Sequence, residues 1–227
     1  GAKLANIFSL EMTVETVDAN RKLKYVQTFR NNMKDKTKPN ITKCSKSPYT
    51  KITWKPDFKR FNMTHIDTDH MNLLKKRVYD IGACTDQFVS VYLNKKKISN
   101  KKFVKYTSLY LGKRPYVIQE EDGWTVVATY NNDEVFNQVS FVNGINTVRG
   151  GKHVDFVVNQ IKDKMVDMIQ KKHKKKVKGA YVKNQLMVFI NATVVNPIFD
   201  GQTKETLKTN KQKFGHTITI KKEFIQK

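Results

Sequence analysis

Residues 187–195 read Met-Val-Phe-Ile-Asn-Ala-Thr-Val-Val, the most apolar run of the 227-residue chain. Both alternating faces of this run are apolar, so it reads as a strand with a central place in a sheet, covered on both sides. Asn196-Pro197 then turns the chain into a polar loop that ends in Gln202-Thr203-Lys204. An amide and an ammonium two residues apart after a rigid strand suit the gripping of an anionic oxygen, Lys204 as a point charge and Gln202 as a neutral donor. A solvated surface loop is the plainer reading of the same three residues.

Other periodicities set the surroundings of that strand. A short helix is expected from Lys3 to Phe8, then a hairpin in which Met12, Val14 and Thr16 alternate, Asp18-Ala19-Asn20-Arg21 turns, and Leu23, Tyr25, Gln27 and Phe29 return. Residues 31–48, rich in Asn, Lys, Ser and Pro, read as an exposed loop before a strand from Tyr49 to Trp54. Thr68 or Asp69 can cap a helix whose stripe of Met71, Leu74, Val78 and Ile81 is expected in the core, with Gly82 near its end. A strand at Phe88–Leu93 and a helix from Lys102 to Leu111 follow, and Gly112 to Pro115 marks a domain boundary.

The second half opens with strands at Tyr116–Glu120, Trp124–Tyr130 and Val139–Asn143. Gly150-Gly151 breaks the pattern, and a long helix runs from about His153 to His173 with Val154, Val157, Ile161, Met165, Met168 and Ile169 on its packing face. Thr217–Ile220 reads as a last strand. Strands, helix, strand and loop in this order imply an α+β fold in both halves.

Charge narrows the partners. With 43 Lys and Arg against 20 Asp and Glu, the net charge is +23, which implies a polyanion, nucleic acid first and an anionic membrane surface second. Compositional bias toward Lys explains part of the total but not its clustering at Lys171, Lys172, Lys174, Lys175 and Lys176, where like charges repel one another at the end of the long helix. No apolar run approaches the roughly 20 residues a spanning helix needs. Cys44 and Cys84 lack the spacing of a disulfide framework or a zinc site, so a reducing, intracellular compartment is expected. The opening GAKLANIFSLEM has no signal-peptide character and no initiator Met, as in an excised piece of a longer chain. His65, His70, His153, His173 and His216 are scattered, with no metal-binding spacing and no Ser/His/Asp arrangement.

Two further positions carry candidate chemistry. Gly1-Ala2-Lys3 opens a helix whose free N–H groups attract phosphate. Thr50 alternates with Ile52 and Trp54, which directs its hydroxyl either into a buried pocket or toward a neighbouring strand.

Asn196-Pro197, Phe199-Asp200 and Gln202-Thr203-Lys204-Glu205 together resemble the signature loop of eukaryotic-type (type IIA) DNA topoisomerase II. SFVNGINTVRGGKHV at 140–154 resembles the start of that family's transducer domain, and Gly1-Ala2-Lys3-Leu4 the end of its Gly-rich phosphate loop. The resemblance implies that residues 1–111 are the C-terminal part of a GHKL (Bergerat) ATPase α/β sandwich and residues 112–227 a ribosomal-S5-domain-2-like transducer. It implies ATP contacts at Gly1, Ala2, Lys3, Thr50, Gln202 and Lys204, and DNA contacts at Lys171, Lys172, Lys174, Lys175 and Lys176. It further implies a nuclear, homodimeric, ATP-dependent enzyme that passes one DNA duplex through another. The family's general-base Glu, its magnesium ligand and its adenine-binding Asp lie upstream of the GAKL segment, and its DNA-cleaving Tyr lies downstream. This stretch alone is therefore expected neither to hydrolyse ATP nor to cut DNA. Alternatives are another GHKL ATPase, such as a bacterial gyrase B subunit, a mismatch-repair ATPase or a heat-shock chaperone, and a non-enzymatic basic DNA-binding domain.

Overall fold

A computed structural model describes residues 1–99 and 102–226, and the chain divides into two units, Gly1–Met71 and Asn72–Lys227. In the first, helix α1 (Ala2–Ile7) leads into strands β1 (Ser9–Asp18) and β2 (Leu23–Arg30), then the short β3 (Asp35–Lys36) and β4 (Asn40–Lys43), and finally β5 (Tyr49–Pro56). The antiparallel order is β3-β2-β1-β5, with β4 also on β2. The hairpin turn falls where its residues require: the Asp18 carboxylate accepts from the N–H groups of Asn20 and Arg21 at 3.0 and 3.1 Å, an Asx turn.

Residues 31–48 differ from the loop expected. β3 and β4 pair with β2 through backbone groups while their own side chains stay exposed. A ladder needs only N–H and C=O groups, so an edge strand with nothing to bury leaves no apolar alternation to read.

Helix α2 (Thr68–Cys84) begins one residue after Asp67, whose carboxylate accepts from the His70 N–H at 2.8 Å. Asp67, not Thr68 or Asp69, is the cap. The stripe expected in the core is largely outside it, since Met71, Leu74 and Ile81 are exposed. The buried side of α2 carries Asp80, Gly82 and Ala83 instead. Asp80 is 2% exposed. It accepts from Lys76 Nζ at 2.8 Å and from the Tyr106 hydroxyl at 2.6 Å, so its burial is compensated by a cation and a donor.

The strand expected at Phe88–Leu93 shrinks to β6 (Tyr92–Leu93), paired with β7 (Lys96–Lys97), and Phe88 is exposed. After α3 (Phe103–Leu111) come β8 (Val117–Glu121), β9 (Trp124–Tyr130), β10 (Asn137–Val142), β11 (Ile145–Asn146), α4 (Lys152–His173), α5 (Gly179–Asn184), β12 (Leu186–Ala192) and α6 (Lys222–Gln226). The sheet order is β11-β10-β12-β9-β8. β12 is parallel to β10 and antiparallel to β9, so the run that reads as a central strand is one up to Ala192; Thr193 and Val195, expected within it, lie past its end and are exposed. The parallel β10–β12 pair requires a crossover, which α4 and α5 supply.

Two-sided covering follows from strand alternation. Val188 and Ile190 pack with Val154, Val157, Val158 and Ile161 of α4 on one face. Phe189 points the other way with Val127 and Phe141, toward Phe103 and Tyr106 of α3. Each such fully buried side chain contributes about 1.5–3 kcal/mol. Residues 217–220, expected as a strand, belong to no strand. Two glutamine side chains take the place of a partner strand. Gln160 bonds Ile218 O and the Ile220 N–H at 3.2 and 3.1 Å, and Gln119 bonds Thr219 O and the Lys221 N–H at 2.8 and 2.9 Å.

Candidate functional site

The loop that follows β12 is closed on itself. Phe199 and Leu207 form an antiparallel bridge. The Asp200 N–H donates to Thr206 O, and the Asp200 carboxylate accepts from the Thr206 N–H, both at 3.1 Å. Hydrogen bonding from Thr206 holds the Asp200 carboxyl below the usual carboxylate range. At the tip, the Lys204 N–H donates to Gly201 O at 3.1 Å and Lys204 takes φ +59°, a left-handed turn that side-chain residues adopt only when surroundings impose it. Its ammonium lies 5.8 Å from the Phe199 ring centroid, within cation–π range. Gln202 is exposed and Lys204 half-buried, so both can meet an incoming anion.

A backbone seam fastens this loop to the segment before α4. Arg149 N–H donates to Glu205 O, Leu207 N–H to Gly150 O and Lys152 N–H to Leu207 O, each at 3.0 Å. Gly151 sits against this seam at φ +128°, where a Cβ would meet Leu207 O at 2.4 Å. The Gly150-Gly151 pair thus permits two backbones to touch, a role that sequence shows only as a break in periodicity.

His153, two residues after Gly151, is fully buried. Its Nε2 is 3.1 Å from Thr147 Oγ1, which in turn is 2.6 Å from Ser140 Oγ. Nδ1 has no partner among the described residues. It begins a helix and bonds locally, as expected. Burial pushes its pKa down to about 3, so the ring is neutral at pH 7. The folded state therefore binds fewer protons than the unfolded state between the unfolded value near 6.5 and about 3. This contribution to stability is complete above pH 6.5 and declines by about 1.4 kcal/mol per unit below it. Urea titrations between pH 7 and 5 should show a slope of that order in the wild type and a flatter one in His153→Gln. Equal slopes would remove His153 as the cause.

The lysine run occupies the other end of α4. The helix has 22 residues, so about 33 Å separates the seam from the run. Lys171 and Lys172 lie in the last turn, Lys174 reverses the chain at φ +56°, and Lys175 and Lys176 follow. All five are exposed, so their charges are free to meet a polyanion.

In the first unit, Gly1, Ala2 and Lys3 are exposed at the start of α1, and Ala5 N–H donates to Gly1 O at 2.9 Å. Thr50 is exposed, and its Oγ1 is 3.0 Å from Thr16 Oγ1. Within this unit it has the cross-strand partner, not a buried pocket. Pro56, opposite Ser9 just after α1, and Thr50, opposite Thr16, lie toward opposite ends of β5, about 20 Å apart along the strand. Among the described residues no group of three or more His, Cys, Asp or Glu could hold a metal ion.

Arg149 and Glu205 lie within the sequence motifs without a role that the motifs assign, and Leu207 lies outside them. Arg149 Nε is 2.9 Å from Glu205 Oε2, and Leu207 is fully buried. The signal available was the apolar Leu207 isolated in a polar stretch.

A family model for DNA gyrase B matches residues 85–227. The chain belongs to that family. It is 45% identical over its whole length to the DNA topoisomerase 2 of Arabidopsis thaliana, of which it spans 16%, and 41% identical to that of Saccharomyces cerevisiae, of which it spans 17%. The chain thus spans about a sixth of the length of these relatives. All of it superposes on the ATPase region of S. cerevisiae topoisomerase II with a TM-score of 0.93 at 40% identity, covering 59% of that structure. It matches the ATPase and transducer domains of DNA topoisomerase II from Balamuthia mandrillaris with a TM-score of 0.94, also at 40% identity and covering 59%. This gyrase B family member therefore corresponds to part of the ATPase region of a type II topoisomerase, with the α+β fold of those structures. No helix among the described residues is long and apolar enough to cross a membrane.

Proposed function

We propose that the chain is the nucleotide-sensing and DNA-contacting portion of an ATP-dependent, nuclear, homodimeric DNA topoisomerase II that relaxes, decatenates and unknots DNA by double-strand passage. In this reading residues 1–111 belong to the ATPase domain and 112–227 to the transducer, whereas the compact units divide at Met71 and α3 packs on the sheet of the second. Gly1, Ala2, Lys3 and Thr50 contribute to holding ATP, and Gln202 and Lys204 meet its terminal phosphate. The observation that carries this reading is the closed loop at 199–207, held by the three seam bonds with Lys204 at its tip.

The mechanism is one of differential affinity. A cation that meets only the third phosphate favours the closed arrangement with ATP, and loses that contact after hydrolysis. Charge-assisted contacts contribute about 1.5–3 kcal/mol each, a shift of roughly tenfold to a hundredfold in population. In a longer chain that turns over ATP, Lys204→Ala should lower ATP-driven gate closure and strand passage by that factor. Wild-type levels would refute the role of the loop.

The lysine run supplies the DNA contact. If Lys171, Lys172, Lys174, Lys175 and Lys176 each meet a phosphate, replacing all five by Gln should reduce the slope of log affinity against log salt by up to ~4.5. An unchanged slope in duplex binding would take the run out of the interface.

A further inference from the structure

We propose that Arg149 is a positioning residue for Lys204, acting by holding and neutralising Glu205. This rests on the reading that Lys204 meets the terminal phosphate. Glu205 follows Lys204 directly, so an unpaired carboxylate there would repel the same anion that the ammonium attracts. Arg149 answers it twice, with Nε at 2.9 Å from Glu205 Oε2 and with its backbone N–H at 3.0 Å from Glu205 O.

The geometry makes the pairing directional. Arg149 immediately precedes the Gly150-Gly151 seam, and Glu205 lies between Lys204 and the bridged Leu207. Both partners themselves share a backbone bond of the seam, so the ion pair acts on a loop whose base is already fixed. The Lys204 φ of +59° marks the tip as the strained part of the loop, the part an added tether steadies. Arg149 itself is mostly exposed while Glu205 is less so, so a modest and salt-sensitive effect is expected.

The test compares Arg149→Ala, Arg149→Lys, Glu205→Gln, the Arg149→Ala/Glu205→Gln pair and Lys204→Ala in a longer chain that turns over ATP. Arg149→Ala should raise the half-saturating ATP concentration about fivefold, with kcat changed less than twofold and the effect shrinking in high salt. Arg149→Lys should stay within twofold of wild type. Adding Glu205→Gln to Arg149→Ala should recover most of the loss, because the repelling charge is then gone. In the 227-residue chain, amide exchange at Gln202, Thr203 and Lys204 should quicken with Arg149→Ala while the melting temperature holds. An unchanged half-saturating concentration in Arg149→Ala beside a weakened Lys204→Ala would overturn the role of Arg149 and leave that of the loop standing. Failure of the double variant to recover would overturn neutralisation. If Lys204→Ala itself changes nothing, the reading of the loop fails and the proposal falls with it.

Discussion

Gly151→Ala is expected to lower the melting temperature of the chain by about 10 °C. The added Cβ would lie 2.4 Å from Leu207 O and 2.5 Å from Leu207 N, both backbone atoms that no rotamer change can move aside. Relief requires parting the two segments, which breaks the bonds from Leu207 N–H to Gly150 O and from Lys152 N–H to Leu207 O. At φ +128° a side chain adds backbone strain of about 1–3 kcal/mol, the clash a similar amount, and each lost hydrogen bond about 1 kcal/mol. The sum is about 4–8 kcal/mol, and its lower end, reached if the two segments relax, corresponds to roughly 10 °C for a chain of this size. Thermal unfolding followed by circular dichroism measures it, and a shift below about 2 °C would mean that the seam yields freely.

Trp124→Ala is expected to cost a similar amount for a different reason. Trp124 is 1% exposed, at ring-centroid distances of 5.9 Å from Phe156 of α4 and 5.7 Å from Phe214. Its indole N–H donates to His216 O at 3.1 Å, so the same side chain fills the core and ties down the segment that leads to α6. Truncation of a buried Trp costs about 3–5 kcal/mol through lost transfer energy and the cavity left behind. Trp124→Phe separates the two roles: it keeps most of the apolar contact and leaves His216 O without its donor, at about 1–3 kcal/mol. Chemical denaturation of the two variants should rank them in that order. Equal losses would mean that the hydrogen bond, not the packing, dominates.

Several elements could be read from local pattern alone. β9 runs from Trp124 to Tyr130 as its alternation implies, and α4 starts one residue before His153. The hairpin at Asp18 falls where an Asx turn belongs. The Gln202–Lys204 loop was visible through its motif. Its clasp was not, because Arg149 and Glu205 belong to segments that meet only in the folded chain.

The misreadings share one cause. Periodicity in α2 correctly groups Met71, Leu74 and Ile81 on one face, but it cannot say whether anything covers that face. Asp80 is buried, and Tyr106, from a later helix, and Lys76 bond its carboxylate. At 217–220 the expected strand is not formed, and the backbone bonds the side chains of Gln160 and Gln119 instead.

The amino-acid sequence by itself therefore determined the longer elements, such as β9 and α4, the two-sided covering of the strand that begins near residue 187, and which family the loop motif belongs to. Those properties follow from side-chain spacing and residue identity within short windows. Only the tertiary structure decided which apolar stripe is buried, that Gly151 touches the backbone of Leu207, and that Arg149 answers Glu205. Such contacts join segments far apart in the chain. Their register is set by how α4 and β12 pack together, which no local pattern encodes.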